Sequence, residues 1–436
     1  AGAGAPAGSV PIRPSASGRL RLMGCGTTPG LVSVAQALAT YRRVLIPLPE
    51  RKLHIEAALG QVLAESVQAA VDLPLFDQSA VDGYAVRSED LSKASAQRPV
   101  ELSLSGEIPA GQSKAMLLAP GCAMRILTGA PVPAGADTIV RQEWVVREGD
   151  VVRVARALAP ATDLRMRGEE LPSGAELAEA GLRLDPGRLA ALAMAGVSRV
   201  RAHPRARVTV LVTGDEVKPA GELLAPGQIF DANGPLVRGW LAQRGQPLVS
   251  CRGVADRFED VCEALAQGLE ESDIVITTGG VSVGDRDYIP AAAERLGVTR
   301  HFWKLAQKPG KPLWFGSRNK AEGSTALVGL PGNPAAVLVG LTVHVAAVIR
   351  ALEGEDAGPN WGYAALREDA LPADQRDQWL RMRIRVDPLT GTATLAPLPR
   401  QASHMLSNLI AADVLAWVPA SDDAWRAGSI VRWLAL

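Results

Sequence analysis

The segment VITTGGVSVGDRD, residues 275–287, combines residue types that bind phosphate and metal ions. An apolar run ends in a glycine turn, the order expected where a buried strand leads into an anion-binding loop. Glycines let backbone N–H groups approach a phosphate, and hydroxyl and carboxylate groups can complete the site. An ordinary tight turn is the alternative, because the spacing is neither a Walker nor a dinucleotide fingerprint. The predicted binding residues are Thr278, Gly279, Gly280, Ser282 and Gly284, with Asp285 and Asp287 as magnesium ligands.

A second candidate is the lysine-rich segment WKLAQKPGKP, residues 303–312. Its prolines and glycine impose a rigid turn, which can direct ammonium groups toward one anion. At about 4 Å and an effective dielectric near 20, each lysine contributes about 4 kcal/mol of gross attraction, much of it offset by desolvation. We predict that Lys304, Lys308 and Lys311 bind an oxyanion. Three solvated surface lysines are the alternative.

Two segments in the first half of the chain place polar groups at turns. FDQSAVDGYA, residues 76–85, carries Asp77 and Asp82, which suit a metal or a positioned nucleophile. RILTGAPVP, residues 125–133, places the Thr128 hydroxyl beside a glycine, where it can meet an oxyanion. Taken alone, each segment also fits an ordinary turn.

Three further segments are short and charged or glycine-containing. RMRGEE, residues 165–170, alternates in charge and suits a solvated salt-bridged turn. TGDE, residues 213–216, falls at a predicted strand end. LPGNP, residues 330–334, opens a helix, so it is either a cap or an anion cradle. The candidate cradle residues are Pro331, Gly332 and Asn333.

The composition excludes several classes of protein. The chain has 436 residues, of which 47% are hydrophobic, enough for several globular domains. Lys plus Arg equals Asp plus Glu at 46 each, so the protein has no net positive charge that would attract nucleic acid or an anionic membrane. The four cysteines form no CxxC pair and lie far from the five histidines, which argues against a zinc site or a disulfide framework.

The chain also carries no clear targeting or membrane signal. The longest apolar candidate, 335–351, is interrupted by Gly340, Thr342 and His344 and is shorter than the roughly 18 residues that a span needs. Residues 1–30 are rich in Ala, Gly, Ser and Pro, which predicts a disordered tail. A transit peptide would share that composition but would show an amphipathic apolar face. We predict a soluble cytoplasmic protein.

The apolar pattern of the first half predicts helices around a β-rich module. Ser33 and Gln36 form a capping box before a helix that Pro47 stops. Residues 73–154 contain short β-prone runs separated by turn residues. The other predictions here are helices at 54–60 and 182–195 and a linker at 201–207.

From residue 208 onward strands and helices alternate, which predicts βαβ units with a parallel sheet. Ligands bind beyond the carboxyl ends of such strands, where the glycine loop and TGDE both fall. After residue 358 the pattern is β again, with a hairpin turn at 387–391, and fits a small β-barrel. The predicted strands are 208–213, 247–254, 273–278, 326–330, 379–386 and 392–398, and the predicted helices are 233–244, 258–269, 291–296 and 334–352.

Taken together and in order, these segments resemble the molybdopterin molybdenumtransferase family, known as MoeA and as the E domain of gephyrin. The likeness runs from about residue 31 to the C-terminus. Seven ordered motifs cannot reasonably coincide by chance, although each alone is weak. The motifs are FDQSAVDGYA, RILTGAPVP, RMRGEE, TGDE, TTGGVSVGDRDY, WKLAQKPGKP and LPGNP.

The resemblance implies a multidomain α/β plus β fold. Its expected parts are a split N-terminal helical and β region, an inserted β-rich domain, a central MogA-like parallel α/β domain and a C-terminal β-barrel. The coarse pattern along the chain shows the same succession. The expected limits are 31–72 with 160–204, 73–159, 205–353 and 354–436.

The resemblance further implies an enzyme of molybdenum cofactor biosynthesis. Such an enzyme inserts molybdate into adenylyl-molybdopterin and releases AMP in the presence of Mg²⁺. Family members are homodimers whose active site lies between the central domain of one subunit and the β-rich domain of the other. A molybdopterin adenylyltransferase and apo-molybdoenzymes are the implied protein partners.

Residue roles follow from the matching family positions. Glu216 and Asp287 are the implied magnesium ligands, and Lys304 and Lys308 neutralise phosphate or molybdate. The positions implied for catalysis are Asp82 and Thr128, reached from the partner subunit, and Glu216, Asp256, Asp287, Lys304 and Lys308. The positions implied for substrate binding include Glu170, where the family often has aspartate, and Arg381 and Ser403 near the pterin or molybdate.

Two departures from the family pattern bear on the site. Gln78 and Val81 replace the usual Asn and Met of the first motif, although both aspartates are kept. QASH, residues 401–404, replaces a glycine-rich serine turn, which reduces backbone freedom and predicts an altered oxyanion site. The competing hypotheses are a tungstate-using homologue, a gephyrin-like scaffold and a pyrophosphate hydrolase that shares only the central domain.

Overall fold

The computed structural model describes residues 30–109, 111, 116–282, 284, 287–321, 323–355, 358–367 and 373–436. The tail predicted for residues 1–30 lies outside the described residues except for Gly30, and so does Asp285 of the glycine loop. The described chain comprises an N-terminal region with an inserted β-rich sheet, a central α/β domain and a C-terminal barrel.

The first described helix, Val34–Val44, begins where the sequence predicts it. The Ser33 side chain accepts a hydrogen bond from the Gln36 N–H, and the Gln36 side chain accepts one from the Ser33 N–H, so the capping box is present. Its buried side chains include Ala37 and Tyr41, which pack in the core of the central domain. The helix therefore joins the start of the chain to a domain that follows much later in sequence.

A small antiparallel sheet pairs segments from both sides of the inserted β-rich region. Its strands, in spatial order, are Arg51–His54, Arg199–His203 and Val62–Leu63. The predicted helix at 54–60 is wrong apart from the short 3₁₀ turn Ile55–Ala57, and the predicted linker at 201–207 begins inside a strand. Both errors have one cause. Each of these strands is paired with a strand far away in sequence, and such a partner leaves no local signal. The remaining elements here are Pro186–Met194, a helix, and the paired strands Val67–Gln68 and Glu176–Ala178.

The β-rich region forms a six-stranded sheet. Parallel pairing occurs only between Val100–Ile108 and Cys122–Ile126 among its described strands, and the other neighbours are antiparallel. A two-stranded ribbon, Gln78–Ser79 with Leu164–Arg165, joins its entry and exit. The strand order is Thr138–Arg141, Gly83–Val86, Cys122–Ile126, Val100–Ile108, Val151–Val154 and Val145–Glu148, with 3₁₀ turns at Ser88–Leu91 and Gln142–Trp144.

The central domain is built on a second six-stranded sheet. Strands Val208–Thr213 and Ile274–Thr278 are buried along their whole length, as expected for parallel strands covered on both faces. Four strands are parallel, which confirms the predicted βαβ organisation, and the last two are added at one edge by antiparallel pairing. The order is Leu248–Val254, Val208–Thr213, Ile274–Thr278, Ser324–Leu330, Trp314–Asn319 and Thr299–Trp303.

Helices cover both faces of this sheet and enclose two apolar clusters. The long helical segment 334–352 is apolar enough by length and composition to span a membrane, but 78% of its apolar window is buried, as in a core helix. Its middle part, Gly340–Val345, is π-helical. The helices are Asn233–Gln243, Phe258–Glu271, Ile289–Arg295, Pro334–Val339 and Ala346–Leu352, and a small parallel pair joins Val217–Lys218 to Ile229–Phe230.

The last part of the chain forms a closed five-stranded barrel, as predicted. The predicted hairpin is present, because Asp377–Val386 pairs antiparallel with Ala393–Pro397. Strand Gln307–Lys308 of the lysine segment pairs with the start of the strand Asp377–Val386, so the barrel is attached directly to the central domain. The barrel order is Asp377–Val386, Ala393–Pro397, Gly362–Leu366, Ile430–Ala435 and Val414–Val418, which returns to the first strand.

A buried ion cluster joins the N-terminal region to the end of the long helix. Glu353 is fully buried and accepts hydrogen bonds from Arg183 Nη1 at 2.6 Å, the Ala206 N–H at 2.8 Å and Gln246 Nε2 at 2.8 Å. Burial lowers the pKa of Arg183, but its pairs with Glu355 and Glu353 outweigh that effect and raise it. The charge of each partner is therefore compensated by the others.

We predict that Glu353→Ala lowers the free energy of unfolding by about 3 kcal/mol, because it removes one of the two carboxylates that pair with Arg183 and leaves the buried Ala206 N–H without its acceptor. Denaturant unfolding followed by circular dichroism measures the change. The control is Glu89→Ala, which breaks the exposed Arg87–Glu89 pair and should cost about 1 kcal/mol or less. Equal losses in the two variants would contradict this account.

A buried histidine makes stability depend on pH. Burial lowers the pKa of His344 from 6.5 to about 3, so the folded protein keeps this ring neutral where the unfolded chain binds a proton. Stability from this group is present above pH 6.5 and is lost as the pH falls toward 3, by about 1.4 kcal/mol per pH unit. We predict that His344→Gln flattens this slope in urea unfolding between pH 6.5 and 4.5. The exposed-site variant His404→Gln should keep the wild-type slope, and an unchanged slope in His344→Gln would refute the assignment.

Candidate active site

A cavity of about 570 Å³ lies at the carboxyl ends of the central parallel strands. The register pairs Val212 with Thr278 and Thr278 with Leu330, so three neighbouring strands end at the same edge. This is the position expected for a ligand site in an open α/β sheet. Of the predicted site residues, those that line it are Glu216, Asp256, Thr278, Gly279, Gly280, Gly284, Asp287, Gly332 and Asn333.

The glycine turn requires glycine at two positions. Gly279 and Gly280 have φ values of 94° and 67°, in the left-handed region that side chains rarely adopt. A Cβ on Gly279 would lie 2.7 Å from Thr213 Oγ1, and one on Gly280 would lie 2.9 Å from Ile289 Cγ1. The turn therefore brings backbone against the neighbouring strand end, as the glycines of this motif allow.

Carboxylates on three loops surround the cavity. Asp287 Oδ2 accepts the Gly284 N–H at 2.7 Å, which closes the glycine loop. Asp256 Oδ2 accepts the Asp215 N–H at 3.4 Å, and Asp215 Oδ1 accepts the Asp256 N–H at 3.1 Å. These reciprocal bonds hold the TGDE turn beside the loop that follows strand Leu248–Val254. Glu216 therefore lies on a turn whose position is fixed from a second loop.

Sequence reasoning missed two groups that line the cavity. Asp231 Oδ1 accepts the N–H groups of Asn233 and Gly234 at 2.9 and 2.8 Å, so it caps helix Asn233–Gln243. Asn233 Nδ2 donates to the Gly332 carbonyl at 2.8 Å and ties this helix to the LPGNP turn. An Asp two residues before an Asn at a helix start is a capping signal that could have identified them.

Two buried polar atoms at the cavity have no hydrogen-bond partner among the described residues. Thr278 is 1% exposed and its Oγ1 is unpaired, and Asn233 is 9% exposed and its Oδ1 is unpaired. An unsatisfied buried polar atom costs free energy unless a ligand or water completes it. Both residues line the cavity, so its wall contains two polar atoms that the described residues leave unsatisfied.

The lining residues are acidic. Glu216, Asp231, Asp256 and Asp287 contribute carboxylates, and no lysine or arginine is among the described residues that line the cavity. An anionic ligand would be repelled here unless a cation accompanied it. No group of three or more His, Cys, Asp or Glu side chains within the described residues forms a ready-made metal site.

The predicted lysines lie outside this cavity. Lys308 Nζ pairs with Asp374 at 3.1 Å, and Lys304 Nζ lies 4.2 Å from the centre of the Trp303 ring. Lys311 is exposed. The lysine turn thus lies between the central domain and the barrel of the same chain. The side chain of Lys308 is 55% exposed there.

The barrel contributes one loop to the cavity. His404 and Leu406 line it, and Asn333 Nδ2 donates to Ser403 Oγ at 3.0 Å, which connects the loop to the LPGNP turn. Arg381 is fully buried beneath this loop and binds Asn408 Oδ1 at 2.6 Å. Burial lowers the pKa of Arg381, and its contacts with the carbonyls of residues 400 and 402 hold the loop.

A second polar cluster lies on the β-rich region. Asp82 Oδ1 accepts both the N–H and the hydroxyl of Thr128, at 2.8 and 2.7 Å. The Thr128 N–H and then its hydroxyl hold the pKa of the Asp82 carboxyl below its ordinary value. Asp77 Oδ1 accepts the Arg167 N–H at 2.7 Å, so the first three motifs converge here. Glu170 is exposed on the same turn, and its N–H donates to the Leu73 carbonyl.

Two predicted positions have a less direct relation to either cluster. Ser282 is exposed next to the undescribed part of the glycine loop, and Pro331 is buried just before Gly332. Neither is among the residues that line the cavity. The described cysteines Cys122, Cys251 and Cys262 are free thiols, and Cys25 lies outside the described residues.

Comparison with known proteins identifies the family. Three family models match consecutive parts of the chain: "MoeA N-terminal region (domain I and II)" at residues 32–196, "Probable molybdopterin binding domain" at 209–351 and "MoeA C-terminal region (domain IV)" at 363–436. Together they cover the three folded regions described above.

Curated relatives and a solved structure agree with these matches. The chain is 38% identical over 298 residues to a molybdopterin molybdenumtransferase of Nostoc sp., covering 68% of each chain. It is 30% identical to one of Staphylococcus epidermidis, covering 92% of this chain and 94% of the relative. The molybdopterin biosynthesis moeA protein of Pyrococcus horikoshii OT3 superposes with a TM-score of 0.79 at 26% identity, covering 93% of this chain and all of that one. The chain belongs to the MoeA family of molybdopterin molybdenumtransferases, transferases of molybdenum cofactor biosynthesis.

Proposed function

We propose that this protein inserts molybdate into adenylyl-molybdopterin and releases AMP. The observation that carries the proposal is the acidic cavity at the strand ends, in which Thr278 Oγ1 and Asn233 Oδ1 are buried without partners among the described residues. Such atoms suit the polar groups of a pterin or ribose, and the carboxylates suit a cation bound with phosphates. The family membership supplies the substrate class.

The carboxylates fit Mg²⁺ as the accompanying cation. Mg²⁺ keeps several waters and uses one or two carboxylates together with substrate phosphates, so it needs no preformed cage. We assign Glu216 and Asp287 to hold it, with Asp256 fixing the position of the Glu216 turn. When bound, Mg²⁺ supplies Lewis-acid stabilisation of charge on the phosphoanhydride.

The protein groups bind and orient the substrate around that cation. The glycine turn and the first residues of the helices that start at Asn233 and Pro334 line the cavity, and we assign their backbone N–H groups to the substrate phosphates. Lys304, Lys308 and Lys311 supply the positive charge that the cavity lacks. Arg381 acts by holding the loop that carries Ser403, because it is buried rather than open to the cavity.

The cluster at Asp82 and Thr128 completes the site from a second subunit. In this cluster the ionised Asp82 carboxylate accepts two hydrogen bonds from Thr128. A homodimer in which this cluster faces the cavity of its partner would unite both groups of predicted residues. We also propose a cytoplasmic location, with a molybdopterin adenylyltransferase supplying the substrate and apo-molybdoenzymes receiving the product.

The direct test mixes purified protein with adenylyl-molybdopterin, Mg²⁺ and molybdate. We expect AMP release together with reconstitution of a molybdenum-free apo-enzyme, both dependent on molybdate. AMP release without reconstitution would replace the transferase with a hydrolase. A response to tungstate alone would assign the other anion, and no reaction with either would favour a binding role.

Subunit complementation tests the shared site. We predict that Asp82→Ala and Asp287→Ala are each folded and inactive, because each removes one half of the site from a surface turn. Mixed and exchanged subunits should regain about a quarter of wild-type activity, since half of the dimers are mixed and each has one intact site. Circular dichroism and size-exclusion chromatography confirm folding and exchange. Absence of recovery after verified exchange would place both residues in the site of one chain.

A further inference from the structure

A chain of buried polar side chains connects the first helix to the lysine turn. Tyr41 Oη lies 3.0 Å from His344 Nδ1, and His344 Nε2 lies 2.9 Å from Gln307 Oε1. Gln307 Nε2 donates to the Gly310 carbonyl at 3.4 Å. All three side chains are 0% exposed. Gln307 is the residue directly before Lys308.

The donors and acceptors of these groups allow only one direction of hydrogen bonding, from Tyr41 through His344 to Gln307. The Tyr41 hydroxyl donates to His344 Nδ1, so the proton of the neutral ring is on Nε2 and is donated to Gln307 Oε1. The Gln307 amide is then oriented with its NH₂ toward Gly310. Burial raises the pKa of Tyr41 and lowers that of His344 to about 3, so both groups stay neutral and the chain keeps this direction at physiological pH.

The Gln307 amide lies against the backbone of the lysine turn. Gly310 has φ of 97°, and a Cβ there would lie 2.7 Å from Gln307 Nε2. The turn is closed by the Leu305 N–H, which donates to the Lys311 carbonyl at 2.7 Å. Removing the amide would therefore loosen the part of the turn from which Lys308 and Lys311 project.

The helix that supplies His344 is itself distorted at this point. Gly340–Val345 is π-helical, a conformation that is rare and often occurs at functional sites. The same helical segment begins at the LPGNP turn of the cavity. His344 thus connects the lysine turn to a helix that also contributes to the cavity.

We propose that Gln307, oriented by His344 and Tyr41, is a positioning residue that fixes the lysine turn for binding of the substrate oxyanion. The inference rests on the proposed function, because it assigns Lys308 and Lys311 to that oxyanion. Gln307 itself touches the turn and not the substrate.

The test compares Gln307→Met with the wild type. Methionine keeps the length and volume of the side chain but removes the amide. We expect the KM for molybdate, or for adenylyl-molybdopterin if the oxyanion is its phosphate, to rise about tenfold, with a smaller change in kcat. Equilibrium titration with molybdate and, separately, with adenylyl-molybdopterin should show the same ratio of Kd values for the ligand whose KM rises, without requiring turnover.

The matched control is Gln246→Met. Gln246 is 5% exposed and also donates its amide to a backbone carbonyl and a second side chain, but at the Glu353 cluster. The Gln246→Met variant should have a lower free energy of unfolding but the same KM and Kd as the wild type. If Gln307→Met merely loses stability in the same way, the positioning role is overturned.

Tyr41→Phe is a milder variant that removes only the first donor. It should raise the same KM by a smaller factor, and it should have no further effect on KM in the Gln307→Met background, because the chain is already broken there. If the effects of Tyr41→Phe and Gln307→Met on KM are additive, the proposed hydrogen-bonded chain of side chains is overturned. If the wild type binds either ligand but does not turn over, the proposed function is refuted, while the ratio of Kd values still tests the positioning role of Gln307. If the wild type binds neither molybdate nor adenylyl-molybdopterin, both proposals are overturned.

Discussion

The register of the parallel central sheet is the constraint on which the site depends. Because Val212, Thr278 and Leu330 are aligned across three strands, the turns that follow them must emerge at one edge. Gly279 and Gly280 allow the middle turn to approach its neighbour, and a side chain at either position would push the edges apart. A shift of one strand would separate the TGDE, glycine and LPGNP turns, which no local interaction could restore.

Charge explains why this edge alone is an incomplete site. Its described lining has four carboxylates and lacks lysine and arginine, whereas the proposed substrates are anions. A bound cation and the lysine turn each offer a way to balance that charge. The barrel contacts both the lysine turn and the cavity. Its strand Asp377–Val386 pairs with Gln307–Lys308, and its Ser403 hydroxyl accepts a hydrogen bond from Asn333. The domains are therefore connected at the positions where their charged loops are needed.

The sequence predicted the parts of the fold whose signals are local. The capping box at Ser33, the buried strand 208–213 and the hairpin at 387–391 depend on neighbouring residues, and all three are present. The helix predicted at 54–60 was wrong because strand Arg51–His54 owes its conformation to Arg199–His203. Asp231 carries a local capping signal at a helix start, but the contact of Asn233 with the distant Gly332 turn leaves no such signal. Motif order identified the family because it integrates information over the whole chain, which no single spacing could do.

The buried Tyr41, His344 and Gln307 chain shows how a core interaction can serve a surface turn. Polar groups in a core are costly unless every member has a partner, so their presence here restricts the arrangements that the surrounding helices can adopt. Apolar residues of similar size would stabilise the same core without specifying the direction of the Gln307 amide. The polar chain therefore contributes orientation rather than packing alone, and that orientation is transmitted to the backbone from which the lysines project.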